Sequence, residues 1–269
     1  MDTLTFYGTS DAQGVPRLLC GCHVCKSVKP HNHRTRPSCE FNIDEQTFLI
    51  DISPDFRSQF QLYNNSHIPS TVLITHAHND HVAGLGDFAD LCYWNNKEVQ
   101  IISPPDIINM LTNRFPYLVN RKGLTFVGTD QWANNGIKIS FHRVNHGIKI
   151  SFHRVNHGHN GYSYGILVAK ENGYRWAYMS DSFDVLEDQW RPFYHLDLFI
   201  FGTSFWKENQ PRWKRSVYDV TEAFDINRMI EPKKMILTHL SHDIDIKKRT
   251  RELPKNMMFA SDGLKITLN

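Results

Sequence analysis

The sequence predicts an α/β fold, and three observations carry the prediction. Short apolar runs bounded by turn residues recur from one end of the chain to the other, segments with helical spacing lie between some of them, and no Pro/Ser-rich linker or shift of composition divides the chain. In chain order the strands are expected at residues 4–7, 47–50, 71–75, 99–102, 124–127, 163–168, 175–179, 196–201 and 234–238. Helices are expected at 54–62, 86–93, 105–111, 217–229 and 244–253. In the fourth of these, Val217, Val220, Ala223, Phe224 and Ile226 keep the spacing of one helical face, whereas Leu196, Leu198 and Phe201 fall in a short apolar run. One domain over residues 1–269 is the economical reading, and that length is ample for a sizeable buried core.

Composition narrows the class. With 41% hydrophobic and 22% charged residues the chain is an ordinary globular protein, which excludes a disordered or fibrous one. The 30 Lys and Arg against 28 Asp and Glu leave a formal charge of +2, so no general field attracts polyanions and nothing demands a nucleic-acid partner. Met-Asp-Thr-Leu-Thr-Phe at the start has no basic or apolar leader character, and no apolar run approaches the ~20 residues that span a bilayer. The expected setting is cytoplasmic, without a membrane partner, and the sequence leaves a homodimer open. Fifteen histidines, several in tight clusters, are the odd quantity, and histidine is the commonest metal ligand.

One segment is repeated. Residues 136–146 read Gly-Ile-Lys-Ile-Ser-Phe-His-Arg-Val-Asn-His, and 147–157 repeat them without a change. Two identical neighbours do not make a solenoid, so a recent duplication or a sequence artefact fits better. Because the repeat length is odd, one continuous strand would turn Ile137, Ile139 and Phe141 to the opposite face from Ile148, Ile150 and Phe152. A hairpin turning near Asn145, His146 and Gly147, or displacement of one copy as a loop, avoids that conflict.

The chemistry concentrates where an apolar strand ends: Thr71-Val-Leu-Ile-Thr75 runs into His76-Ala-His78-Asn-Asp80-His81. Ligands bind beyond the carboxyl ends of strands in α/β sheets. Two histidines one residue apart can converge on one cation, and the adjoining Asp-His pair can serve a second. Other strand ends deliver Asp51, Asp181 and His239. Taken singly, Asp181 could be a helix cap and His239 a loop histidine; beside the first cluster both become candidate ligands.

The His-Ala-His-Asn-Asp-His run resembles the signature of the metallo-β-lactamase superfamily. That resemblance implies an αββα sandwich with two divalent ions, Zn or Mn, along one edge of its sheets. It implies one ion held by His76, His78 and a further histidine, a second held by Asp80, His81 and His239, and Asp181 bridging both. Asp80 and Asp181 would orient the hydroxide that the ions activate, and Asp51 would orient a ligand imidazole rather than bind metal. His157 is favoured as the further histidine because it runs directly into Gly158-His-Asn-Gly-Tyr-Ser-Tyr-Gly165, with His146 its competitor and His159 a weaker one.

Cys20-Gly-Cys22-His-Val-Cys25 places three of the five cysteines within six residues. In a reducing compartment such a group suits thiolate ligation of a structural zinc, which needs one more ligand from His23, His31, His33 or His242. Cys39 and Cys92 read as buried packing residues. The Cys-x-Cys-x-x-Cys loop, together with Leu237-Thr-His239-Leu-Ser-His242, resembles the phosphoribosyl cyclic phosphodiesterases of phosphonate breakdown and the pyrroloquinoline-quinone biosynthesis B proteins. The former resemblance implies Cys20, Cys22, Cys25 and His242 around the structural zinc. The catalytic run is whole here, unlike that of the latter proteins, which favours a hydrolase. One departure bears on the substrate: Phe205 stands where the phosphodiesterases carry a histidine that serves the leaving group or phosphate.

The reaction expected is hydrolysis of a small, nucleotide-like phosphodiester, cyclic or linear. Trp206, Lys207, Arg212 and Trp213, in a loop both basic and aromatic, are candidate substrate contacts, a solvated loop being the equal alternative. Lactone or thioester hydrolysis on the same ions is the second expectation, and a non-catalytic binding protein shaped by metal the third. A transfer-RNA 3′ nuclease is disfavoured, since no long inserted arm and no overall basic charge are present.

Overall fold

The computed structural model describes residues 1–27, 29–43, 45–64, 67–129, 142–144 (main chain) and 148–269. Two seven-stranded sheets face each other. The first contains β1 (Thr3–Gly8), β2 (Ser38–Ile43), β3 (Gln46–Ile50), β4 (Thr71–Leu73), β5 (Val99–Ser103), β6 (Leu124–Gly128) and β14 (Lys265–Thr267), in the order β14-β1-β2-β3-β4-β5-β6. The second contains β7 (His142–Val144), β8 (Ile148–Asn156), β9 (Tyr162–Lys170), β10 (Arg175–Met179), β11 (Leu198–Gly202), β12 (Lys234–Thr238) and β13 (Met257–Phe259), in the order β13-β12-β11-β10-β9-β8-β7. In each sheet a parallel set, β3 to β6 and β10 to β13, is joined to antiparallel strands. The carboxyl ends of β3 and β4 therefore lie along one sheet edge, as do those of β10 to β12.

Alternation along the strands splits the apolar residues into an inner layer and two outer ones. Between the sheets Phe41 stacks on Phe48 at 4.7 Å and meets the edge of Trp176, from the opposite sheet, at 5.0 Å. Outside the first sheet Leu49, Val72 and Ile101 pack under Phe56 of α1 (Phe56–Tyr63), Phe88 of α3 (Leu85–Trp94) and Ile107 of α4 (Pro105–Arg114), with the one-turn α2 (Asn79–Val82) inserted before α3. Outside the second sheet Ala177, Phe199 and Leu237 pack under Trp190 of α5 (Glu187–Trp190) and Ala223 and Ile226 of α6 (Val220–Ile230). The layers run helix, sheet, sheet, helix, as the resemblance implied.

Differences from the sequence expectation have local causes. The helix expected from residue 217 begins at Val220, because Asp219 accepts the Glu222 N–H at 2.8 Å while the Glu222 carboxylate accepts the Asp219 N–H at 3.0 Å, a reciprocal cap that fixes the start. The helix expected over 244–253 is one α turn, α7 (Ile246–Arg249), followed by a 3-10 turn at Thr250–Glu252. Strands β2, β13 and β14 were not expected: β2 carries the buried Glu40 on the face opposite Cys39, Phe41 and Ile43, and the other two have three residues each, too few to show a period. Glu40 is satisfied by the Tyr7 hydroxyl at 2.7 Å, which makes its burial tolerable.

The two repeat copies meet as antiparallel strands, His142 opposite Ile150 and Val144 opposite Ile148. Residues 130–141 and 145–147, which include Ile137, Ile139, Phe141, the expected turn and His146, lie outside the described residues. Among the described residues no helix is long and apolar enough to cross a membrane.

Candidate metal centre

Four strand ends build the edge cluster. The turn after β4 carries His76 and His78 and opens α2, whose first turn holds Asp80 and His81. His157 follows β8, Asp181 closes β10 after Ser180, and His239 follows β12 directly. Gly158 lets the chain leave β8 beside His157: its φ is +54°, and a Cβ there would sit 2.1 Å from the Arg215 carbonyl oxygen.

His76, His78, Asp80, His81, His157, Asp181 and His239 all converge, in three overlapping groups: His76 with His78 and His157, His76 with His81 and Asp181, and Asp80 with His81 and His239. His78 Nδ1 lies 2.9 Å from His76 Nε2 and 3.3 Å from His157 Nε2. Asp181 stands between the groups, its Oδ1 3.2 Å from His81 Nε2 and its Oδ2 3.5 Å from His157 Nε2 and 3.4 Å from His239 Nε2. Asp80 Oδ2 is 3.2 Å from His81 Nε2 and 3.5 Å from His239 Nε2. His159 is exposed, its Nε2 3.2 Å from Asn160 Oδ1, and belongs to none of these groups.

Hydrogen bonds behind the cluster assign the tautomers. His157 Nδ1 donates to the Ser216 carbonyl at 2.6 Å. His81 Nδ1 donates to Asp51 at 2.7 Å, and His76 Nδ1 donates at 3.0 Å to the Thr75 hydroxyl, which itself donates to Asp51 at 2.8 Å. Asp51, fully buried after β3, thus orients two imidazoles without entering the cluster. Each of the three rings turns Nε2 inward.

Charge divides the cluster into halves. Burial pushes His76 well below the usual imidazole range and His157 down to about 4, against the pull of Asp181, so these rings are neutral and carry free lone pairs. In the other half burial opposes ionisation, yet His81 holds Asp80 well below the carboxylate range, and His239 and His81 do the same for Asp181. Burial likewise works to lower His81, and Asp80, Asp181 and Asp51 overcome it and raise it well above its usual value.

The donor set fits divalent cations. Tetrahedral bonds of ~2.0–2.1 Å set nitrogens about 3.3 Å apart, close to the spacing of the three neutral rings. His81 Nε2, Asp181 Oδ1 and His239 Nε2 are buried without a well-aligned hydrogen bond despite their mutual approach, a costly condition that a shared ion would relieve. The cysteine loop passes the same test. His242 Nδ1 lies 3.2 Å from Cys20 Sγ and 3.6 Å from those of Cys22 and Cys25, where tetrahedral zinc would set S and N about 3.6 Å apart. Two residues separate His239 from His242; Leu240 N–H, donating to the Thr9 carbonyl at 2.8 Å, and Ser241 N–H, donating to the Ser204 carbonyl at 2.8 Å, pin the turn that sends one ring to each cluster. Cys39 and Cys92 are buried apart from it.

A family model described as the beta-lactamase superfamily domain matches residues 46–240. The chain belongs to this superfamily. Among solved structures, a diphosphatase from the PhnP family is similar at 25% identity over 98% of this chain and 96% of its own, with a TM-score of 0.83. Zn(2+)-bound PqqB from Methylobacterium extorquens shares the fold at 19% identity over 99% of this chain and 100% of its own, with a TM-score of 0.82. The octanoyltransferase of Porphyromonas gingivalis (strain ATCC BAA-308 / W83) is 35% identical over 115 residues, 42% of this chain. The chain spans only 23% of that curated relative's length. Proteins of this superfamily fold are generally hydrolases.

In this superfamily member the edge cluster opens into a cavity of about 500 Å³ whose wall includes His78, Asp80, His157, Asp181 and His239, with Asn160, Ser204 and Phe205. Phe205, where the phosphodiesterases carry a histidine, is thus a wall residue. The four expected substrate contacts do not line this cavity. Trp206 turns its ring to Phe224 and beneath Arg249, Arg212 is held by Asp184 and Glu222, and Lys207 and Trp213 point to solvent. Packing takes up Trp206 and ion pairing Arg212. Arg17 and Asp11 on the cavity wall were missed, and an arginine in an irregular loop offers no periodic signal to find it by.

Proposed function

We propose that this chain is a metal-dependent phosphodiesterase acting on a small, nucleotide-like phosphodiester. The observation that carries the reading is Asp181 standing between two adjoining donor groups at the floor of an open cavity. His76, His78 and His157 would hold one divalent ion, Asp80, His81 and His239 a second, and Asp181 both. Such a pair supplies Lewis acidity toward anionic oxygens and a nucleophile from water near neutral pH. The chain's own part is to hold the ligands in one protonation state and orientation, through Asp51, Thr75 and the Ser216 carbonyl. Cys20, Cys22, Cys25 and His242 would hold a structural zinc.

Phe205 favours a second reading, hydrolysis of a lactone or thioester, because an apolar wall suits a carbonyl substrate. It also means that the wall histidines are all candidate ligands, so a departing oxygen should do best when it leaves unprotonated. Bis-p-nitrophenyl phosphate, whose leaving group needs no proton, should be turned over by the Zn- or Mn-loaded protein faster than a lactone and a thioester panel. Activity confined to the carbonyl substrates would sink the phosphodiester reading.

Asp51→Asn tests the orienting role. It removes the charge that holds His81 and, through Thr75, His76, and should weaken metal affinity at the edge cluster about 10- to 100-fold while sparing the cysteine site. Chelator competition reads this directly, and unchanged affinity would refute it.

A further inference from the structure

We propose that Arg17 is the anion-recognising side chain of the cavity, and that the cysteine cluster serves to present it. Arg17 lines the same cavity wall as His78, Asp80, His157, Asp181 and His239, and no lysine or other arginine does so among the described residues. Its side chain is 20% exposed, and one Nη meets the Asp11 carboxylate at 2.5 Å. Asp11 is itself fixed, accepting the Gln13 N–H at 3.1 Å. A guanidinium has five N–H donors in a rigid fork. Asp11 therefore aims the group and leaves donors over for the paired oxygens of a phosphoryl group, a geometry that a lysine cannot match.

The main chain of Arg17 is held by the cysteine loop, through one sulfur and one amide. Its N–H donates to Cys25 Sγ at 3.2 Å, and its carbonyl accepts the Cys20 N–H at 3.2 Å. The next two residues do not anchor the loop in the core, since Leu18 is 89% exposed and Leu19 fully so. Val15, buried and bridged to Arg34, anchors the chain before Arg17, and on the other side the convergence of the three cysteine sulfurs and His242 fixes the loop that carries it. A cluster distant from the reacting atoms thus becomes a determinant of substrate charge: it orders a cation that favours phosphoesters over neutral esters. The inference rests on the phosphodiester reading for its substrate class, but its test does not require turnover.

The probe is inorganic phosphate, titrated calorimetrically into the metal-loaded full chain. Arg17→Gln should weaken phosphate binding about 10- to 100-fold, with metal content and Tm unchanged, and Arg17→Lys should restore part of it. Cys25→Ser should weaken it by a comparable factor although Cys25 does not line the cavity. In kinetics Arg17→Gln should raise KM for bis-p-nitrophenyl phosphate far more than it lowers kcat, and leave KM for a neutral lactone unchanged. Phosphate affinity unaltered in Arg17→Gln would overturn the proposal. If Cys25→Ser fails to fold, Arg17→Gln still decides the binding claim, and zinc removal from the cysteine site of the intact chain, followed by the same titration, decides the positioning claim. A wild-type protein that binds phosphate through Arg17 yet hydrolyses only carbonyl substrates would overturn the phosphodiesterase reading alone.

Discussion

Replacing Asp80 by alanine should reduce hydrolysis on the order of 10³-fold and remove one metal ion per chain. Its carboxylate belongs to the group with His81 and His239 and not to the one with His76, His78 and His157, so the loss should be confined to half of the cluster. Asp80 is also the negative partner of two imidazoles at 3.2 and 3.5 Å, and without it Asp181 is the one carboxylate left among the candidate ligands to offset the charge of an ion. Removing one fixed electrostatic element from a catalytic site costs about 10²–10³ in rate, and loss of an ion adds to that. Elemental analysis should read two metals per chain against three in the wild type, with unchanged circular dichroism. Three metals and full activity in the variant would refute the two-ion reading.

Cys22→Ala should act on stability. The loop carrying Cys20, Cys22 and Cys25 is tied to the C-terminal part of the fold through His242, so loss of a sulfur opens a cross-link between segments more than 200 positions apart in sequence. Structural zinc contributes ~10–16 kcal/mol of binding free energy in small zinc-dependent folds. Losing about a third of that, at ~2–4 °C per kcal/mol for a domain of this size, lowers Tm on the order of 10 °C. Differential scanning calorimetry with and without a chelator checks this: the wild type should fall toward the variant when zinc is stripped. A chelator-insensitive Tm would remove the structural-zinc assignment.

Local order in the sequence accounts for most of the strands, because a run such as Lys234-Met-Ile-Leu-Thr238 declares its burial in adjacent positions. The same holds for the His76 to His81 run and the cysteine loop, whose ligand types lie within one turn of each other. Elements that depend on distant partners were not legible. Strand β2 hides its character behind Glu40, which is acceptable only because Tyr7 and Asn64 close on it from elsewhere. The basic, aromatic loop after β11 read as a substrate surface by composition, and its arginine was instead taken up by Asp184 and Glu222.

By itself, then, the sequence determined which side chains could bind metal and at which strand ends they would stand, since that information is written within a few consecutive residues. Only the tertiary structure decided which of them meet. It set His157 against His78, gave Asp51 to His81 and, through Thr75, to His76, and turned His239 and His242 to different clusters. It also brought Arg17 to the cavity wall. These pairings join residues 24 to 222 positions apart. They follow from how two sheets stack and which loops their edges gather, and no local pattern encodes that.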